Sequence, residues 1–386
     1  MQNRWLSLVL LGCAFGAAAA ERPYSVGGGF NTKGGLESLA VPAADGALLA
    51  MEEINAHGGL LGKKLQLFER DTKTDTAVVV KVTRQLVDGQ KVDALIGWVD
   101  SDSVLAAGPI AAAAGLPFIT VGATSPKLPS QVGPNLFLAC FGDNVQAAAG
   151  AEFAYNTLTL RSAFVLSNAD TEYTRLLGGY FKTRWLQLAG ASIAGEASYP
   201  ANVSQLDTQI AAIKALAPLP DLLYVSANPA EIGLVVKELR AAGLAMPILG
   251  GDGYDTPDLA TVAGVPASND VYFTTHALVQ PGASAAMDHF IATYRARFGH
   301  PPENAFAPLG YDTLKLLADA VRRAGSRDKA AVIAALEATQ SFPALTGEIS
   351  FAPGNHVPRK GVTVLRLVNG TPALAAQLVP AVVPAP

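Results

Sequence analysis

The sequence predicts an α/β fold made of two doubly wound lobes. Short apolar segments alternate with stretches of helical period from about residue 24 to about residue 338. Apolar strands that alternate with helices are typical of parallel sheets covered on both faces. The strand–helix units are too numerous for one sheet, and a chain of 386 residues suffices for roughly two domains.

The individual elements follow from segment length, hydrophobic period and end signals. Strands are predicted where short apolar runs are bounded by turn residues, and helices where apolar residues recur every three to four positions. The predicted strands are YSVGGGF, KLQLFERD, DALIGW, PFITVG, LFLACF, SAFVLSN, LLYVSA, PILGG and DVYFTTH. The predicted helices cover residues 41–56, 76–88, 145–156, 173–188, 204–216, 230–242, 285–298, 305–324 and 329–338.

The first 20 residues predict a secretory signal peptide. Arg4 precedes an apolar stretch, and the alanines at 18–20 form a cleavage site before Glu21. The segment LLGC offers the alternative of a lipid anchor at Cys13, but the alanine site favours release of a soluble protein. We therefore expect a protein that is exported to the periplasm.

Composition and motifs argue against several classes of function. The chain has 28 basic and 32 acidic residues without a basic stripe, which argues against a nucleic-acid partner. The histidines, at 57, 276, 289, 300 and 356, show no metal-ligand spacing. Nucleophile elbows, zinc-protease motifs and phosphate-binding loops do not occur in the sequence. We therefore expect a protein that is not an enzyme, with no catalytic residue, no metal and no cofactor.

Two loops that follow predicted strands carry hydroxyl groups. These loops are GWVDSDS and TVGATSP, and a helix begins at or just after Ser101 in the first. Ligands of open α/β sheets bind beyond the carboxyl ends of strands, where helix N-termini present free N–H groups. Ser101, Thr124 and the open carbonyl of Gly122 are therefore candidate ligand groups, although both hydroxyls can equally be ordinary N-caps. A later strand end, LGGDGYD, adds the carboxylate of Asp252, or a simple turn residue.

Several segments match one family in order and spacing. GALLAMEEINAHGGLLGKKLQL is followed by RDTKTD, LVDGQKVDALIG, PFITVGATSPKL and, later, GLAMPILGGDG. With these segments the chain, from Pro23 to about Asn369, resembles the periplasmic substrate-binding proteins of branched-chain amino acid ABC transporters. The resemblance implies a type I periplasmic-binding fold, in which two Rossmann-like lobes close on a ligand like a hinge.

The resemblance also implies the domain organisation. Three crossings would join the lobes, near Cys140–Gly142, Thr275–Ala277 and Ser350–Asn355. The implied parts are the signal peptide 1–20, an N-terminal lobe of 21–140 plus 277–350, a C-terminal lobe of 141–276 plus 351–375, and a loose tail of 376–386.

The roles of the site residues are likewise implied by the resemblance. Ser101 and Thr124 would hold the carboxylate of an amino acid. The carbonyl of Gly122, the hydroxyl of Thr124 and the acid Asp252 would hold its ammonium, and Tyr173 would cover the ligand. Because the family commonly has glutamate at this acid, the shorter Asp252 would need a closer backbone or a bridging water.

Other departures from the family bear on specificity. Ala227 stands where leucine-binding members have a tyrosine, which would enlarge the site. Trp98 and Tyr254 are candidates for an apolar wall; the alternatives are a packing residue and a surface turn residue. Asp100 and Asp102 place negative charge near the expected carboxylate site and would oppose an anion unless they point away or are paired.

The function implied is that of a solute receptor. It would capture a small molecule, such as a branched-chain or aromatic amino acid, and present its closed form to an ABC permease. An amine-free aromatic carboxylate, an amide or a urea-type ligand remains an alternative, as does a ligand-sensing regulatory domain. Membrane contact is expected only through the permease or a lipid anchor at Cys13.

Overall fold

The computed structural model describes residues 22–386, and they form two sheets that are each covered by helices. The predicted signal peptide, with Cys13, lies outside these residues. The first sheet has the order β2-β1-β3-β4-β5 and is parallel throughout. Its strands are β1 (Tyr24–Phe30), β2 (Leu65–Asp71), β3 (Ala94–Gly97), β4 (Phe118–Thr120) and β5 (Leu136–Leu138).

The second sheet has seven strands in the order β12-β11-β10-β9-β8-β6-β7. The strands from β6 to β10 are parallel, whereas β11 and β12 form an antiparallel hairpin at one edge. The strands are β6 (Ser162–Asn168), β7 (Ser192–Tyr199), β8 (Leu222–Ser226), β9 (Ile248–Gly250), β10 (Val271–Thr275), β11 (Val362–Val368) and β12 (Thr371–Leu378).

Helices follow most of the strands. They are α1 (Glu37–Ala56), α2 (Thr76–Arg84), α3 (Ser101–Ala113), α4 (Leu128–Val132), α5 (Asp143–Asn156), α6 (Glu172–Trp185), α7 (Asp207–Lys214), α8 (Pro229–Ala241), α9 (Pro257–Ala263), α10 (Val265–Ser268), α11 (Ala285–Phe298), α12 (Phe306–Ala324) and α13 (Lys329–Glu337). Within residues 22–386, no helix combines the length and the apolar character needed to cross a membrane.

Each sheet has its own apolar core. The core of the first lobe joins the five-stranded sheet to α1, α3 and α12, with Trp98 among its fully buried side chains. The second sheet has one buried cluster on each face, and Trp185 lies fully buried in one of them. Burial on both faces explains why the parallel strands are continuously apolar in sequence.

The chain passes between the two sheets three times. It leaves the first sheet after β5, returns after β10, and leaves again after His356, whose carbonyl accepts a hydrogen bond of 3.0 Å from the N–H of Leu138 at β5. The segment 350–355, where the third crossing was expected, is therefore still packed on the first lobe. The crossing lies a few residues later because His356 itself bonds to the edge strand β5.

The predicted loose tail is docked on the second lobe. Residues 376–378 belong to β12, and the N–H groups of Ala381 and Val382 donate to the buried carboxylate of Glu152 at 2.8 and 3.2 Å. The carbonyl of Pro384 accepts a hydrogen bond of 2.8 Å from Asn144. The prediction of a loose tail is wrong because the backbone of this segment satisfies polar groups of α5.

Candidate functional site

The loop after β3 turns sharply into α3. Gly97 has a φ of +111°, and a Cβ there would lie 2.3 Å from the carbonyl oxygen of Gly29. Trp98 follows with a φ of +52°, and its N–H donates to the same oxygen at 2.6 Å. This bend sends the chain away from the sheet and places Ser101 at the first turn of α3, where the helix N–H groups have no partner within the helix.

The loop after β4 is held beside the loop after β3 by hydrogen bonds. The hydroxyl of Thr120 donates to the carbonyl of Trp98 at 2.7 Å and accepts from the N–H of Ala123 at 3.1 Å. A Cβ at Gly122 would lie 2.5 Å from the ring of Phe306, so glycine is required for this close approach. The loop therefore brings Thr124 to the same edge of the sheet as Ser101.

A cavity of about 290 Å³ lies between the two lobes at these strand ends. It is lined by five of the sequence-predicted residues: Ser101, Gly122, Thr124, Tyr173 and Asp252. The hydroxyl oxygens of Ser101 and Thr124 are buried and have no hydrogen-bond partner. Because a buried polar atom without a partner costs free energy, these hydroxyls are suited to a ligand that supplies one.

Asp252 presents a carboxylate that several side chains already hold. Its Oδ1 accepts from the hydroxyl of Tyr173 at 3.0 Å and from Nε2 of Gln146 at 2.9 Å, and its Oδ2 lies 3.0 Å from Nε2 of His276. Burial lowers the pKa of His276 and raises that of Tyr173 well above its usual value. Both groups are therefore neutral near pH 7, so neither places a positive charge beside the carboxyl of Asp252.

Asp143 and Gln146 are functional candidates that the sequence analysis missed. Asp143 is fully buried at the first turn of α5, and its Oδ1 accepts from Nε2 of Gln146 at 2.9 Å. Burial, together with the charge of Asp252, raises the pKa of Asp143 to about 8. The signal available in the sequence is the polar stretch DNVQ before AAAG, since polar side chains within such a buried segment need specific partners.

Trp98 and Tyr254 do not line the cavity, so their proposed role as an apolar wall is not supported. The indole of Trp98 lies in the core of the first lobe, edge-on to Phe118 with ring centroids 5.0 Å apart. Tyr254 is fully buried in the second lobe, where its hydroxyl donates to the carbonyl of Val225. Ala227 is also buried outside the cavity lining, so it does not set the size of the cavity.

The two acids of the α3 loop are both engaged with helix N-termini. Asp100 is the N-cap of α3 and accepts from the N–H of Ser103 at 2.8 Å. Asp102 accepts from the N–H of Glu172, the first residue of α6 in the second lobe, at 3.2 Å. Burial raises the pKa of both carboxyls, and their hydrogen bonds to amides oppose that rise. The Asp102 contact links the lobes across the cleft.

The rest of the cavity wall combines apolar and polar groups. Leu36, Leu39, Val99 and Phe306 form apolar surface on the first lobe. The second lobe contributes polar groups from the starts of α6 and α8, including Asn228. Such a wall suits a small ligand with a charged end and an apolar body.

The family follows from a comparison of the whole chain with known proteins. A family profile described as "Periplasmic binding protein" matches residues 23–372. The chain belongs to this family. It is 24% identical to "Leu/Ile/Val-binding protein homolog 7" of Brucella abortus over 352 residues, which are 88% of this chain and 86% of that protein.

Solved structures support the same family assignment for this periplasmic binding protein. The leucine-binding protein LivK of Thermotoga maritima has a TM-score of 0.85 and 28% identity, with 92% of this chain and 99% of that chain covered. The substrate-binding protein LivJ of Streptococcus pneumoniae, solved with isoleucine, has a TM-score of 0.84 and 26% identity, with 94% of this chain and 100% of that chain covered. The fold is that of the type I periplasmic binding proteins, and the chain is of the branched-chain amino acid type.

Proposed function

We propose that this protein is an exported receptor that binds an amino acid between its lobes and delivers it to an ABC importer. The observation that carries the proposal is the pairing of unpartnered, buried hydroxyls on Ser101 and Thr124 with the carboxylate of Asp252 in one cavity. An amino acid has a carboxylate for Ser101 and an ammonium for Asp252, and Thr124 can contact either group. The relatives named for leucine, isoleucine and valine support an aliphatic side chain.

The electrostatics of the cavity support a zwitterionic ligand. The N-terminus of α3 and the hydroxyl of Ser101 favour a carboxylate, because helix N–H groups carry partial positive charge. Asp252 on the second lobe and the carbonyl of Gly122 on the first lobe favour an ammonium. The side chain of the ligand would then contact Leu39 and Phe306.

Closure on the ligand gives the receptor its transport role. A ligand that touches both lobes stabilises the closed form by its differential affinity for the two states. The contact between Asp102 and the start of α6 belongs to this closed arrangement. The proposal includes cleavage of the signal peptide near residue 20, recognition of the closed form by a permease, and release of the ligand chemically unchanged.

A thermal-shift screen of the protein without its first 20 residues tests this function. The screen compares aliphatic and aromatic amino acids with their amides and with amine-free carboxylates. We expect an aliphatic amino acid at a hundred times its Kd to stabilise the protein by about 2.7 kcal/mol. Ser101→Ala should reduce this stabilisation. A screen in which only amine-free acids or amides stabilise the protein would contradict the amino acid assignment.

A further inference from the structure

The amide of Gln146 holds two buried carboxyl groups side by side. Its Nε2 donates to Oδ1 of Asp143 and to Oδ1 of Asp252, both at 2.9 Å. Its Oε1 accepts from the N–H of Asp252 at 3.1 Å and from the hydroxyl of Thr274 at 2.8 Å. With two acceptors on one side and two donors on the other, only one orientation of the amide satisfies its neighbours.

The second carboxyl oxygen of Asp143 faces the ligand-binding threonine. The N–H of Asp143 donates to the carbonyl of Thr124 at 2.7 Å, which fixes the two residues together. The Thr124 hydroxyl lies close enough to the carboxyl of Asp143 to offset part of the rise in pKa that burial causes. Oδ2 of Asp143 and Oγ1 of Thr124 are both buried, and neither has a hydrogen-bond partner. A hydrogen bond between these two atoms would satisfy both, and either group could be its donor.

The direction of that hydrogen decides what Thr124 offers to a ligand. When Asp143 is protonated, its O–H donates to Thr124, and the threonine hydrogen is free for a ligand carboxylate. When Asp143 is ionised, it accepts the threonine hydrogen, and the lone pair of Thr124 is free to accept from an ammonium. Only in the second state can Thr124 add an acceptor for an amine to those of Asp252 and Gly122.

We propose that Asp143 is a positioning residue that selects for an amine on the ligand by giving up its proton when the ligand binds. This inference rests on the proposed amino acid site. In the step, the O–H bond of the Asp143 carboxyl breaks and the proton passes to solvent. The carboxylate then accepts from Thr124, whose oxygen accepts from the ligand ammonium. The positive charge of the ligand offsets the negative charge that forms on Asp143.

The groups around Asp143 are consistent with this role. Asp252 faces it across Gln146, and Glu172, at the start of α6, adds a second negative charge. Three tyrosines also face it, and burial raises their pKa values, so they remain neutral: Tyr173, Tyr180 and Tyr224.

The crossings between the lobes contribute further titratable groups. His276 faces Asp252, and the pKa of the Cys140 thiol is raised. Lys360 faces Cys140, and its burial lowers its pKa to about 8.

Calorimetry with a matched pair of probes tests the proposal. The probes are L-leucine and 4-methylpentanoate, which differ only in the amine. Titrations at pH 7 in two buffers of different ionisation enthalpy give the number of protons released. For the unmodified protein we expect leucine to release close to one proton per ligand and 4-methylpentanoate to release none. Binding of leucine without proton release would overturn the proposal, and this measurement needs no variant.

Asp143→Asn supplies the second measurement. The oxygen of the new amide would stay on Gln146, so its NH₂ group would face Thr124 as a permanent donor. We expect the affinity for leucine to fall by about tenfold or more, because a charge-assisted hydrogen bond is lost. The affinity for 4-methylpentanoate should be maintained, and proton release on leucine binding should disappear. An unchanged ratio of the two affinities would overturn the proposal.

Asp255→Asn is the matched control. Asp255 is also buried with a raised pKa, to about 6, but its hydrogen bonds come from Thr275 and the N–H of Ala305, and Thr124 does not act on it. This variant should keep the preference for leucine and the proton release. Melting curves without ligand show whether each variant is folded. If the unmodified protein binds neither probe, the proposed function fails together with this inference; if it binds leucine without proton release, only the inference fails.

Discussion

The two walls of the cleft present their polar groups in different states. On the first lobe, the hydroxyls of Ser101 and Thr124 are buried without partners. On the second lobe, Tyr173, His276 and Gln146 already bond to the carboxylate of Asp252. The first wall would thus gain hydrogen bonds from a ligand, whereas the second wall presents a carboxyl group whose position is already fixed.

This difference separates two sources of affinity. Hydrogen bonds to unpartnered groups remove an existing desolvation cost, and a fixed carboxylate provides attraction without reorganisation. Variants of the first wall should therefore lose individual hydrogen bonds. Variants of the second wall should also disturb the neighbours that hold the charge, which makes their effects larger.

Asp252→Ala should have the largest effect on binding. The ammonium of an amino acid would lose its charged partner, so we expect the affinity to fall by roughly 2–5 kcal/mol, as measured by calorimetry. Tyr173 and Gln146 would lose an acceptor in the same variant. Unchanged affinity for amino acids would show that the second wall does not hold an ammonium.

Ser101→Ala tests the first wall. The variant removes one hydroxyl donor to the ligand carboxylate, and we expect the affinity to fall by about 1.5–3 kcal/mol. Ser125→Ala is the control, because this hydroxyl is also buried and unpartnered but lies outside the cavity lining. Equal losses in both variants, measured by calorimetry, would indicate a general effect on the lobe instead of a ligand contact.

Asp143, between the two walls, should make the stability of the ligand-free protein depend on pH. Its pKa is about 8 in the folded state, above its usual value, so between these values the unfolded chain binds fewer protons. Stability should therefore fall as pH rises, by about 1.4 kcal/mol per pH unit for one carboxyl. Urea unfolding at pH 6.5 and pH 7.5 measures this slope, and Asp143→Asn should flatten it. Identical slopes in both proteins would contradict the raised pKa.

The hydrogen bond between Asp102 and the N-terminus of α6 should have the smallest effect on ligand binding. Asp102→Ala removes the carboxylate from the N-terminus of α6 and should weaken ligand binding by about 0.3–1 kcal/mol by disfavouring closure. Asp328→Ala is the control, since Asp328 caps α13 within the first lobe. Solution scattering of the ligand-bound protein should show a larger open fraction for Asp102→Ala only.

Sequence reasoning predicted the elements of the fold and the positions of the hydroxyls well. Helix α3 begins at Ser101, and α11 spans Ala285–Phe298, because caps and apolar period are local signals. Strand β7 was missed because it is a half-exposed edge strand without a continuous apolar run. The hairpin of β11 and β12 was missed as well, since it breaks the strand–helix alternation used to find the other strands.

The rest of the site depends on backbone geometry and on distant partners. Trp98 follows a strand and looks like a wall residue, but its positive φ turns the indole back into the core over Gly29, which has no side chain. Gln146 meets Asp252 across 106 positions of sequence, a contact that no local pattern encodes. Asp143 lies in the first turn of α5, where an acidic residue is common, and only the fold shows that its carboxyl bonds to Gln146.

The burial of one indole in each lobe has a practical consequence for spectroscopy. Trp98 and Trp185 are both fully enclosed, and the Nε1–H of Trp185 donates to the carbonyl of Ser192 at 2.9 Å. Replacing either with phenylalanine in a protein that lacks its first 20 residues would leave a single fluorescent tryptophan. The red shift of its fluorescence during denaturation would then report the unfolding of one lobe separately from that of the other.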